Sequence, residues 1–135
     1  MPMLERAPAV VLDTHVWIWM AAGDERAGLM RNYAGRMILP AISVWETAML
    51  AAKGRLKLEP GVDEWVARNL EAPVELEPLS AGISIRSSQL GEFHGDPADR
   101  LIVATALVLQ MPLVTADRQI QDWNQKFSSF QLIPL

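Results

Sequence analysis

The sequence predicts an α/β fold, a mainly parallel sheet between layers of helices, and three observations carry that prediction. The short runs "APAVVLD", "RMILPAIS" and "PLVTAD" are almost continuously apolar, so they read as strands covered on both faces rather than strands with one wet side. Segments with helical spacing separate them. Right-handed crossovers between parallel strands then put helices on both faces of the sheet.

Taken in order, "APAVVLD" is the first strand and ends in a carboxylate. "THVWIWMAAG" follows as a helix ended by Gly23, and "DERAGLMRNYAG" as a short helix closed by Gly35. "RMILPAIS" is a second buried strand in which Pro40 marks an edge position or an early end. "SVWETAMLAAKG" is a helix with Ser43 as N-cap and Gly54 as its stop. "GVDEWVARNL" reads as helix, "VELEPLS" as a strand bounded by prolines, and "AGISIRSSQL" as helix again. "DPADRLIVATALVLQ" is the strongest helix, opened by Asp96 as N-cap and Pro97 at the first helical position. "PLVTAD" and "FQLIPL" are the last strands. At 135 residues, with no repeat, low-complexity tract or dividing linker, the chain is expected to form a single domain over residues 1–135.

Composition narrows the chemistry. Without cysteine there is no disulfide framework, thiolate zinc site or thiol nucleophile, which favours a cytoplasmic protein. The longest apolar stretch, residues 101–114, falls short of the roughly 20 residues that span a bilayer, so neither membrane span nor signal peptide is expected. A formal charge of -4 argues against broad electrostatic wrapping of nucleic acid and leaves room for a local basic rim.

In a parallel α/β sheet, helix N-termini and strand C-termini share one edge. Asp13 and Asp117 end strands, and Glu46, Asp96 and Asp99 begin helices, so all five carboxylates are expected along one rim. Each has a local explanation: "SVWE" matches a capping box in which Glu46 reaches back to the Ser43 N–H, and Asp13, Asp96, Asp99 and Asp117 all suit helix starts. Capping does not require clustering. Crowded carboxylates raise one another's proton affinity unless a cation neutralises them, and hard cations such as Mg²⁺ and Mn²⁺ take oxygen ligands. The chemistry implied is metal-assisted phosphoester cleavage.

The stretches "VVLDTHVWIW", "AISVWETAML", "FHGDPADRLIVATAL" and "PLVTADRQI" resemble, in order, the four acidic motifs of the PIN-domain family, nearest to the VapC-type toxins of toxin-antitoxin pairs. The resemblance covers residues 10–120. It implies a three-layer α/β/α sandwich, a Mg²⁺- or Mn²⁺-dependent endoribonuclease, a homodimer, and inhibition by a cognate antitoxin. By motif, Asp13, Glu46 and Asp99 would hold the metal and Asp117 would complete the catalytic site, with Asp96 capping first and supporting the site second. "DPADR" departs from the family's common "DPFDR" by carrying Ala98.

Other positions stay open at this level. Thr14 and Thr115 flank site acids and could serve the site or a local turn. His15 and His94 match positions seen in the subfamily but are not expected as metal ligands. Arg100 is expected in an ion pair, with a phosphate contact as the alternative. Lys53, Arg55 and Lys57 of "KGRLKL" read as a solvated loop, or else meet the RNA backbone. Trp17, Trp19 and Trp45 are expected to pack or form a dimer contact rather than stack bases. An antitoxin with a basic or aromatic segment is expected near Trp17, Trp45 and the rim.

A non-catalytic RNA- or protein-binding module is the alternative function, and the complete acid set argues against it. A phospho-accepting receiver domain would want paired acids after its first strand and a late lysine, and a haloacid-dehalogenase-like phosphatase would want Asp-x-Asp. "VVLDTH" and "FQLIPL" satisfy neither.

Overall fold

The computed structural model describes residues 2–93, 95–127 and 131–135, so His94 and the first residue of "FQLIPL" lie outside the described residues. The strands are β1 (Ala9–Leu12), β2 (Arg36–Pro40), β3 (Val74–Glu77), β4 (Leu113–Thr115) and β5 (Leu132–Pro134). They form one sheet in the order β3-β2-β1-β4-β5, with every pairing parallel. The helices are α1 (Pro2–Arg6), α2 (Thr14–Ala22), α3 (Ala41–Ala52), α4 (Val62–Asn69), α5 (Ala81–Ser87), α6 (Pro97–Leu109) and α7 (Arg118–Phe127). The expected helix after Gly23 is a six-residue 3-10 segment, Glu25–Met30, broken by non-helical Ala27.

Period-two alternation along the strands divides the core into two layers. Val10, Leu12 and Val114 join Val16, Trp17 and Met30 on one face, while Val11 and Leu113 join Phe93, Ile102, Val103, Ile120 and Trp123 on the other. This is the helix-covered parallel sheet expected from the apolar runs. Trp17 belongs wholly to that core: it is 1% exposed, meets Trp65 edge-on at 5.0 Å, and donates its indole N–H to the Asn69 carbonyl at 2.8 Å. Packing was the expected role, and the burial removes Trp17 from any docking surface.

Two local expectations change, the Ser43 cap and the Arg100 ion pair, while Pro40 and Gly54 end their elements as the sequence predicts. Pro40 ends β2, an interior strand, and α3 starts at the next residue, so Ser43 lies inside the helix rather than at its cap. The capping box is therefore not formed. Pro40 can occupy the boundary because its fixed φ suits the extended residue before a helix and its missing N–H costs no ladder bond at the strand end. At the far end of α3, the Gly54 N–H bonds Ala51 O and the Arg55 N–H bonds Leu50 O, a Schellman stop made possible by the left-handed Gly54 (φ 71°). Arg100 donates to the carbonyls of Ser87 (3.2 Å) and Phe93 (2.6 Å) instead of pairing with a carboxylate. The end of α5 leaves its last carbonyl without an in-helix donor, and Arg100 from α6 supplies one.

Among the described residues, no helix is long and apolar enough to cross a membrane.

Candidate active site at the carboxyl edge of the sheet

The order β3-β2-β1-β4-β5 reverses direction between β1 and β4, which opens a crevice beyond their carboxyl ends. Asp13 follows β1 immediately, and its backbone N–H bonds Val114 O of β4 at 3.0 Å, so the first acid stands at that crevice. Its Oδ1 accepts the Thr14 N–H at 2.8 Å as cap of α2, and its Oδ2 accepts the Thr115 hydroxyl at 2.5 Å. Thr115 Oγ1 also accepts the Asp117 N–H at 3.0 Å. One hydroxyl at the end of β4 thereby ties two acids together. Thr14, by contrast, is buried and donates to Ser43 Oγ of α3 at 2.8 Å, fixing the helices that carry Asp13 and Glu46 against each other.

Asp96 caps α6, its Oδ1 accepting the Asp99 N–H at 2.9 Å with Pro97 in the first turn, as the sequence predicts. Asp117 Oδ1 accepts the N–H groups of Gln119 (2.8 Å) and Ile120 (3.2 Å) and so starts α7. A pocket of about 370 Å³ is lined by Asp13, Glu46, Asp96, Asp99 and Asp117, together with His15 and Trp19. All five carboxylates expected on one rim share this pocket.

Within it, Glu46, Asp96 and Asp99 each bring one carboxylate oxygen within 4.8 Å of the others. Glu46 Oε1 is buried with no hydrogen-bond partner. A buried carboxylate oxygen left without a donor is costly unless a cation completes it, so the donor set, all hard oxygen, fits a divalent ion of the Mg²⁺ type. The trio differs from the set implied by motif, because Asp96 stands in it while Asp13 and Asp117 line the surrounding pocket.

The electrostatics agree. Burial first, and then repulsion from Asp96, Asp117, Asp13 and Glu46, pushes the Asp99 carboxyl from 3.8 up to about 7. Burial also raises Asp13, against the hydrogen bonds from Thr115 and Thr14 that pull it down, with Asp117 and Glu46 adding to the rise. Among the described residues, none of the five acids is in an ion pair.

The PIN domain family matches residues 10–125. The chain belongs to the PIN-domain family. Ribonuclease VapC22 of Mycobacterium tuberculosis is 35% identical over 118 residues, covering 83% of this chain and 89% of that protein. The same PIN fold is seen in VapBC2 from Rickettsia felis bound to a DNA fragment from their promoter, with a TM-score of 0.69 at 16% identity over 93% of this chain and 98% of that one. DNA-bound VapBC from Salmonella typhimurium matches with a TM-score of 0.67 at 20% identity, over 93% and 97%.

Two contributors to this PIN site are not evident from sequence. A Cβ at Gly95 would run into the Phe93 ring and stand 2.8 Å from Asp99 Cβ, so only glycine lets the loop pass so close to that acid. Ser43, read as a cap, is instead the buried acceptor for Thr14. His15 is exposed and faces Trp19 at 6.0 Å. The Arg26 guanidinium also lies over the Trp19 ring, 4.4 Å from the centroid.

Proposed function

We propose that this PIN-domain chain is a divalent-metal-dependent endoribonuclease, the toxin of a toxin-antitoxin pair, formed as one domain over residues 1–135 and acting in the cytoplasm. The observation that carries the reading is Glu46 Oε1, buried without a donor and within ligand reach of Asp96 and Asp99. The similarity to Ribonuclease VapC22 supports RNA as substrate.

Glu46, Asp96 and Asp99 would hold Mg²⁺ or Mn²⁺, with Asp13 and Asp117 completing the rim. When bound, the ion supplies Lewis-acid polarisation of the phosphoryl group and lowers the pKa of an attacking water. The side chains supply placement. Thr115 and the Thr14 N–H fix Asp13, leaving it one orientation toward the pocket. Burial and the neighbouring acids raise the Asp99 carboxyl to about 7, so a bound cation would favour its ionised form. No side-chain nucleophile is required, so water attacks in line and leaves 5′-phosphate and 3′-hydroxyl ends.

An acidic rim of this kind is silenced by a partner that lays a basic side chain among the carboxylates, and the structural neighbours that are toxin-antitoxin or VapBC complexes support such an antitoxin. The resemblance to VapC-type toxins supports a homodimer, which light scattering of the purified chain checks.

Purified, antitoxin-free protein incubated with a mixed RNA pool and Mg²⁺ or Mn²⁺ should yield discrete fragments. EDTA and Asp99→Ala should both abolish them while the far-ultraviolet circular dichroism stays unchanged. Intact RNA beside a folded, metal-binding protein would favour the non-catalytic binding module instead.

A further inference from the structure

Beside the acid pocket, along α3, lies a second groove of about 390 Å³ that shares Glu46 and Asp96 with it. A chain with one phosphate at the acids therefore runs directly into this groove. Its lining also includes Trp45, Lys53 and Arg55, with Met49 and Pro97. Trp45 is 54% exposed, the most exposed tryptophan side chain in the described core and rim, so it does not pack as its apolar character predicts.

Among the described residues, six of the twelve Lys and Arg side chains are in ion pairs, and the two at the groove belong to the other six. Arg26, Arg31, Arg36, Arg68, Lys57 and Lys126 are all in ion pairs. Among the described residues, Lys53 and Arg55 are in none. The left-handed Gly54 turns the chain between them, so both side chains reach the same groove at the end of α3. On a protein of net charge -4, two unpaired cations next to an exposed indole make a local site for an anionic, ring-bearing ligand.

We infer that this groove binds one nucleotide of single-stranded RNA adjoining the scissile phosphate, its base stacked on Trp45 and its phosphate held by Lys53 and Arg55. The inference rests on the ribonuclease reading above. Single-strand recognition combines an aromatic platform with backbone cations in this way. A basic protein segment drawn to the acids would instead be repelled by this pair of cations, which is why the groove is assigned to RNA.

The test is the binding of a short fluorescein-labelled single-stranded RNA in EDTA, followed by anisotropy at several salt concentrations, with parallel cleavage assays in Mn²⁺. The double variant Lys53→Gln/Arg55→Gln should reduce the slope of log affinity against log salt by about 1.4, two phosphate contacts' worth on a single strand. Trp45→Ala should weaken binding about tenfold, and Trp45→Phe should recover most of the loss. In cleavage, the same variants should raise KM with kcat and Mn²⁺ affinity unchanged, which a general loss of fold would not produce. Weakened binding by the variants, with no cleavage even by the wild type, would support the groove and sink the nuclease reading. Wild-type cleavage with unchanged slope and KM in the variants would overturn the groove and leave the nuclease standing. Absence of RNA binding by the wild type would overturn it too, as would variants that keep RNA binding but release a co-expressed antitoxin.

Discussion

Acids at the periphery of this protein and acids at the carboxyl edge of its sheet are treated in opposite ways. Asp24 receives the Arg26 side chain at 2.7 and 3.1 Å, and those hydrogen bonds hold its carboxyl down at about 2. Glu75 receives Arg36 at 2.8 and 2.9 Å and is likewise lowered. At the sheet edge, Asp13 and Asp99 are raised, and five carboxylates share one pocket with no ion pair among the described residues. The chain has the arginines to neutralise carboxylates and places none there. The rim is held together by neutral donors, Thr115 and backbone N–H groups, and its charge is left for a cation from outside.

The comparison breaks most visibly at Glu46. Glu46→Gln should cut RNA cleavage by at least about a hundredfold. Asp24→Asn should leave turnover unchanged, since its charge is already satisfied by Arg26. Equal losses in a steady-state cleavage assay would erase the distinction between the two regions. Next in size is Gly95→Ala, which forces a methyl group against Asp99 and the Phe93 ring. Overpacking there should cost about 1–3 kcal/mol in urea denaturation and lower kcat through the displaced acid. Full activity would show that Asp99 tolerates the shift.

Thr115→Val removes the neutral donor that supports Asp13, with an expected loss of about 1–3 kcal/mol in metal-free protein, read by the same denaturation. A neutral result would mean that burial alone sets the Asp13 position. A further effect is the pH dependence of stability. Asp99 has a folded-state value of about 7 against 3.8, so the metal-free folded protein binds more protons in that interval, and its stability falls as pH rises from about 4 to about 7. Asp24 acts with the opposite sign, contributing stability above 3.8 that is lost as pH falls toward 2. Thermal unfolding in EDTA should show the decline toward neutral pH in the wild type and a flatter profile in Asp99→Asn. Matching profiles would remove Asp99 as its source.

The layers were legible because the buried strands are short apolar runs with a clear rhythm of Gly and Pro between them, and because Asp96-Pro97 marks the start of α6 without ambiguity. The signal for α7 was present and passed over: Ile120, Trp123 and Phe127 recur at helical spacing among polar residues, the pattern of an amphipathic surface helix. The gathering of the acids followed from topology, since strand ends and helix starts meet at one edge. Their division of labour did not follow. "SVWE" imitates a capping box, yet α3 begins at Ala41, which turns Ser43 inward to Thr14 and leaves Glu46 Oε1 for the pocket. Asp96 looked like a cap and is one, and only the fold shows that the same carboxylate also comes within reach of Glu46 and Asp99.

The central claim is that the rim is incomplete until a divalent cation binds, and thermal unfolding titrated with Mn²⁺ at pH 7 tests it most directly. The wild type should gain Tm progressively with Mn²⁺ by mass action, while Glu46→Gln should start at a higher metal-free Tm and gain little. A wild type indifferent to Mn²⁺, or a Glu46→Gln variant that gains as much as the wild type, would contradict the account.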